Sequence, residues 1–145
     1  MAEFPQKLQE VLDALSMFPD DNDRINLLID YSNKISKVPE EIAKKPFPEE
    51  NKVPFCESGA YVWSVKNPDG TLKYYFDVEN PQGISARALS AILERSLSGE
   101  SPENIVLISE DIVEKIFGAN LSTRKNMGLT GIVQKVVREA NKYLN

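Results

Sequence analysis

The four residues Asn67-Pro68-Asp69-Gly70 constrain this chain more than any others. Proline presets its own backbone angle, asparagine and aspartate bond back to nearby backbone groups, and glycine enters conformations of positive φ, so the tetrapeptide reads as a turn. Residues 60–66 before it carry Tyr61, Val62, Trp63 and Val65, and residues 71–78 after it carry Leu72, Tyr74, Tyr75, Phe76 and Val78. Aromatic and β-branched runs joined by turn chemistry predict an antiparallel hairpin. Strand alternation places Tyr61 and Trp63 on one face of it. The residues around Lys52 and Val53 are expected to add a third strand.

Helical periodicity brackets the hairpin. Phe4, Leu8, Val11, Leu12 and Leu15 recur at the spacing of one buried helix face, and Phe18-Pro19 ends that segment. Asp20, Asp21 and Asn22 offer N-cap oxygens to a second helix, in which Ile25, Leu28, Ile29, Ser32 and Ile35 line one side. The short link predicts that the two helices form an antiparallel pair. After the hairpin, Ile84, Ala88, Leu89, Ile92, Leu93 and Leu97 form a stripe with Gly99 as its stop. Ser101-Pro102-Glu103 reads as a further helix start, and residues 111–117 as a short helix ended by Gly118. Ser122 caps a last helix, whose buried face is Leu129, Ile132, Val133, Val136, Val137, Ala140 and Leu144.

Between the second helix and the hairpin, residues 37–54 hold Pro39, Pro46, Pro48 and Pro54. Each proline keeps the residue before it out of helix, so the segment is a mostly extended connection. Within it, residues 40–51 read as a plain surface linker. The fold class is α+β: a small antiparallel sheet of about three strands, flanked by helices on both sides of it in sequence. At 145 residues the chain is expected to be a single domain, 1–145, with a real core.

Composition excludes several classes of function. A net charge of -5 with no long basic run argues against nucleic acid as a partner. No apolar stretch is long enough to span a bilayer, and Met1-Ala2-Glu3-Phe4-Pro5 lacks the features of a signal peptide. With a lone thiol, this leads to the expectation of a reducing cytoplasm. The chain has no histidine, which removes the Cys–His pair, the Ser–His–Asp triad and every histidine metal site.

Cys56 is the only cysteine, so it can form neither an internal disulfide nor a multi-thiolate metal site. Three roles stay open: a buried structural thiol, a cysteine that pairs between chains, or a reactive thiol. Its setting, between Pro54-Phe55 and Glu57-Ser58-Gly59, places it on a loop before a strand. Nearby in sequence, Lys52 would favour the thiolate and Glu57 would disfavour it. A second basic pair, Arg124 and Lys125, follows the cap Ser122, where a cation opposes the helix dipole. Either these two are solvated surface charges or they have a task elsewhere.

Taken together, Val53-Pro54-Phe55-Cys56-Glu57-Ser58, the strand with Tyr61-Val62-Trp63, residues 121–129 (Leu-Ser-Thr-Arg-Lys-Asn-Met-Gly-Leu) and residues 24–31 (Arg-Ile-Asn-Leu-Leu-Ile-Asp-Tyr) resemble the SufE family. The resemblance runs from about the first helix to the C-terminus, in the same order and with similar spacing. It implies a sulfur acceptor of iron–sulfur cluster assembly, a carrier and activator and not itself an enzyme, with a three-stranded sheet and no cofactor of its own. Cys56 would take persulfide sulfur from a PLP-dependent cysteine desulfurase of the SufS or CsdA type and pass it to a scaffold such as SufB or to another acceptor. Glu57, Ser58, Arg124 and Lys125 would support the site or bind the partner, and the protein would be a monomer or a homodimer.

The chain departs from the family pattern in places. Phe55 and Glu57 stand where glycine and glutamine are common, and Gly59-Ala60 lengthen the step from cysteine to tryptophan. In the L-S-P-x-R-x-x-G-L motif, Thr123 replaces proline, and Lys125 holds the arginine place with Arg124 one earlier. Arg87-Ala88 stand where a basic residue and glycine are common. Phe55, Tyr61 and Trp63 are candidates for a wall sheltering the persulfide; core packing is the alternative, and for Trp63 the preferred one. Competing functions are a carrier for another sulfur pathway, of the CsdE type, and a binding module whose cysteine is inert. A single-cysteine thiol peroxidase or transferase is disfavoured by the absence of βαβ order.

Overall fold

The computed structural model of the chain describes residues 5–18 and 20–144. Phe4 and Pro19, assigned above to the first helix and its end, lie outside these. Helix α1 (Gln6–Ser16) buries Leu8, Leu12 and Leu15, as its periodicity requires. Helix α2 (Asp21–Ser32) is capped by Asp20, whose carboxylate accepts the Asn22 N–H at 2.8 Å.

The face that α2 buries differs from expectation. Leu28 and Ser32 are buried, flanked by half-buried Leu27 and Tyr31, whereas Ile25 and Ile29 are exposed. Two overlapping stripes share Leu28 and Ser32, so a 3.6-residue period does not choose between them. Packing against the rest of the chain chooses. Nor do α1 and α2 chiefly pair with each other; each packs mainly on a third helix, α3 (Ile84–Leu97).

Helix α3 is the centre of the molecule. Ala88, Leu89, Ile92, Leu93 and Leu97 are fully buried between α1 and α2 on one side and the sheet on the other. Ile84, the first residue of the predicted stripe, is exposed at the helix start. Gly99 follows the helix with φ +93, the left-handed conformation expected of its stop.

The hairpin forms as read. Strands β1 (Ala60–Lys66) and β2 (Leu72–Val78) pair antiparallel from Ala60 opposite Val78 to Lys66 opposite Leu72. The turn is closed by the Gly70 N–H to the Asn67 carbonyl at 2.9 Å, and the Asp69 carboxylate accepts from both the Thr71 N–H and its hydroxyl. Along β2, burial alternates: Leu72, Tyr74, Phe76 and Val78 face α3 in the main core.

The third strand is not present among the described residues. The sheet has two strands, and Lys52 contributes only an isolated bridge to Tyr61. A 3₁₀ turn at Glu49–Asn51 precedes the bridge and Pro54, which has no N–H to donate, follows it, so pairing cannot extend either way.

Residues 40–51 are not a plain linker. The outer face of the sheet carries Tyr61 and Trp63, and Val38, Ile42, Ala43 and Phe47 fold over it to form a second apolar cluster. The Phe47 ring meets Trp63 edge-on at 4.8 Å and Tyr61 at 5.2 Å. The segment has no α-helix but is not mostly extended: it turns at 40–42 and again at Glu49–Asn51, and its path covers a sheet face that would otherwise be wet.

After α3 come α4 (Pro102–Ile105), capped by Ser101, and α5 (Ile112–Phe117), ended by Gly118 at φ +88. The last helix, α6 (Thr123–Asn141), is capped by Ser122, whose hydroxyl accepts the Lys125 N–H at 3.2 Å. Leu129, Ile132, Val133, Val136 and Ala140 are buried as predicted, while Val137 and Leu144 are half-buried, the latter beyond the helix end. Polar groups join α6 to the hairpin. The Tyr74 hydroxyl donates to the Val136 carbonyl at 2.7 Å, and the Ser64 hydroxyl donates to buried Glu139 at 2.8 Å. Burial raises the Tyr74 pKa far above its ordinary value, with the Glu139 charge adding to the rise, so the donor stays protonated. Among the described residues, no helix is long and apolar enough to cross a membrane.

Phe47→Ala should therefore destabilise the protein by about 2 kcal/mol, less than loss of a fully buried phenylalanine because Phe47 is half-buried. Urea unfolding followed through Trp63 emission checks this. A red-shifted native spectrum is expected as the indole is uncovered; an unchanged midpoint would return the segment to linker status.

Candidate functional site

The loop from Val53 to Ala60 carries Cys56 and is held at its base by the Val53 N–H to the Ala60 carbonyl at 2.8 Å. Inside it, Pro54 and Phe55 form a turn, and the Gly59 N–H closes a second turn onto the Cys56 carbonyl at 3.2 Å. The segment following β2 pins it from outside: the Glu79 N–H donates to the Gly59 carbonyl and the Asn80 N–H to the Ser58 carbonyl, each at 3.0 Å.

Underneath, the loop backbone rests on α6. A Cβ at Gly128 would lie 3.2 Å from both the Cys56 Cα and the Phe55 carbonyl oxygen. One at Gly131 would lie 2.9 Å from the Pro54 carbonyl oxygen. Both glycines are there because loop backbone occupies the space a side chain would need. Gly83, before α3, is matched the same way to Ser58, whose Cβ would be 2.8 Å from an added methyl.

Cys56 is half-buried and packs against the main core. It lines a cavity of about 420 Å³ whose walls include Ser58, Ile84, Ala86, Lys125 and Leu129. On the loop's other side it opens to a wider groove of about 900 Å³ between Lys52, Phe55 and Met127. Glu57 and Arg124 line both. The Arg124 guanidinium donates to the Glu57 carboxylate at 3.3 Å, although 67 positions separate them. This pair is well exposed, so it contributes little to stability. Lys125 lies one step further along α6, exposed at the cavity wall.

All five residues singled out from the sequence, Cys56, Glu57, Ser58, Arg124 and Lys125, thus lie around one cavity. The proposed aromatic wall does not. Tyr61 and Trp63 belong to the outer-face cluster with Phe47, and Phe55 is 72% exposed, so the apolar lining of the cavity beside Cys56 is Ile84, Ala86 and Leu129, with Gly83 and Gly128. Sequence reading missed Gly128 and Gly131 as the loop's seat. The signal was available: two glycines three apart inside a helix each cost about 1 kcal/mol relative to alanine and call for a packing reason. It also missed Lys135, buried in α6, whose ammonium donates to the Glu50 carbonyl at 2.6 Å and anchors the chain as it approaches the loop. Among the described residues, no group of three or more aspartate, glutamate or cysteine side chains could hold a metal ion.

Fold and site together define an α+β protein that presents a lone thiol on a clamped loop. The chain belongs to the SufE family: the family model described as "SufE: Fe-S metabolism associated domain" matches residues 9–140, and membership ties the chain to iron–sulfur metabolism. The fold is also that of a solved structure titled as a hypothetical protein from Thermus thermophilus, with a TM-score of 0.75 and 22% identity over 97% of this chain and 98% of that one. No curated protein matches.

Gly131→Ala tests the seat. In an ordinary exposed helix interior this change gains about 1 kcal/mol. Here the added methyl meets a backbone carbonyl at 2.9 Å, so the loop must lift, and a net loss of about 1 to 2 kcal/mol is expected. Thiol labelling of Cys56 should speed up in parallel. A stabilised variant with unchanged labelling would show that the loop does not depend on this contact.

Proposed function

We propose that the protein is a sulfur acceptor. Cys56 takes persulfide sulfur from a PLP-dependent cysteine desulfurase, stimulates that enzyme, and hands the sulfur to an iron–sulfur scaffold of the SufB type. The observation that carries this reading is the placement of the chain's only thiol, half-buried at the junction of a small cavity and an open groove, in a member of this family.

The chemistry needs no histidine. The Cys56 thiolate attacks the outer sulfur of the donor's cysteine persulfide, the donor's S–S bond breaks, and its thiolate leaves. The new S–S bond is that of a persulfide on Cys56, so the exchange is redox-neutral. Its rate depends on thiolate fraction, access and leaving group. The 420 Å³ cavity has room for the added sulfur atom, with Ile84, Ala86 and Leu129 as apolar walls and Arg124 and Lys125 supplying positive charge toward a persulfide anion. Glu57 pairs with Arg124 at the mouth, and the Ser58 side chain fills the space beside Gly83. Sheltering also protects a species that thiols in a reducing compartment would strip.

Mass spectrometry after incubation with a cysteine desulfurase and cysteine should show one added sulfur on Cys56. Cys56→Ala should fold normally, gain no sulfur and fail to stimulate the enzyme; undiminished stimulation would sink the proposal. The double change Arg124→Ala and Lys125→Ala should lower stimulation several-fold while costing under about 1 kcal/mol of stability, as exposed charges do. If it activates normally, these two residues are surface charges only.

A further inference from the structure

Phe55 pairs a strained backbone, held by the clamped loop, with a ring that the free protein leaves uncovered. Its φ is +65, the only non-glycine residue with positive φ among those described. That region is strained for a bulky L residue, and the turn position after Pro54 is one where glycine is favoured. Strain of this kind is normally offset by packing, yet the ring is 72% exposed. Beside it the apolar surface continues through Pro54, also exposed, and Met127, 46% exposed. With Val53 they make up the apolar part of the lining of the 900 Å³ groove, whose charged lining residues are Glu49, Lys52, Glu57 and Arg124. Exposed apolar surface beside groups of mixed charge is the make-up of a protein–protein contact, in which aromatic side chains are enriched.

We propose that the Phe55 ring is the anchor by which the sulfur-donating protein docks. This rests on the acceptor reading above. The occupant follows from covalent adjacency: Phe55 precedes Cys56, so a protein that brings a cysteine persulfide to Cys56 across the open groove must cover that ring. The cavity on the other side is smaller, about 420 Å³. The left-handed backbone at Phe55 holds the ring outward while the thiol next to it stays half-buried. Phe55 is thus a positioning residue: it sets where the donor lands and takes no part in the exchange of sulfur.

The test compares the wild type with Phe55→Ala, Phe55→Gly and Phe55→Tyr. Each is titrated against a cysteine desulfurase, with turnover, direct binding and the mass of Cys56 as readouts. Phe55→Ala and Phe55→Gly should raise the KM for the acceptor about ten-fold or more, leave kcat at saturation within about two-fold, and still yield Cys56 persulfide at high concentration. Phe55→Tyr should behave like the wild type. Phe55→Gly should unfold at a denaturant concentration no lower than the wild type, because glycine accepts this φ. If the wild type takes up sulfur but the alanine and glycine variants keep its KM, the anchor is wrong and the acceptor reading stands. If the wild type neither binds the enzyme nor gains sulfur, both fall. If the wild type instead self-associates and Phe55→Ala abolishes that, the occupant is a second copy and the proposal is overturned.

Discussion

The contact on which the site depends is one of backbone against backbone. At Gly131 the cysteine loop lies on helix α6 closer than a side chain would permit, and at Gly128 an added Cβ would force the loop backbone to give way slightly. The two glycines weaken α6 as an isolated helix, by about 1 kcal/mol each. The tertiary fold offsets this, because α6 is buried along Leu129, Ile132, Val133 and Val136 and tied to the hairpin through Tyr74 and Glu139. A helix held so firmly can carry a weak point, and the loop uses it.

From that seat the rest of the site's geometry follows. The loop is narrow at its base, where the Val53 N–H meets the Ala60 carbonyl, and β1 begins at once beyond it. The thiol is therefore referenced to three rigid parts: the hairpin, the start of α3 at Gly83, and α6. The start of α6 brings Arg124 and Lys125 to the mouth, where cations gain nothing from the helix dipole and Arg124 is balanced by Glu57. A thiol placed this way is half-covered without being locked in the core, which suits the acceptor role proposed for it.

The two faces of the small sheet show how a modest hairpin supports such a site. One face meets α3 and α6 in the main core; the other is closed by Phe47 and its neighbours. A two-stranded sheet alone is marginal in water, and covering both faces is what makes it rigid enough to serve as a reference frame. The proline-rich segment supplies that cover and then delivers the chain to Cys56. Lys135 fixes the last step of the path through the Glu50 carbonyl.

Much of this architecture was legible in the sequence where the deciding interactions are local. The Asn67–Gly70 turn, the end at Gly118 and the caps at Ser101 and Ser122 each involve partners within a few residues, so residue type alone determines them. The lone cysteine on a loop, the missing histidine and the order of motifs likewise needed no coordinates. Tertiary structure decided what local patterns leave degenerate or unspecified. It chose Leu27 and Tyr31 over Ile25 and Ile29 on α2, because overlapping helical stripes are equal until a neighbour buries one of them. It reduced the third strand to a bridge and turned a linker into a cover, because the docking of Phe47 is a long-range contact without a period to announce it. Only folding could bring Arg124 to Glu57 across 67 positions and lay Cys56 on Gly128, since such contacts depend on how whole elements pack and not on any residue's own preference.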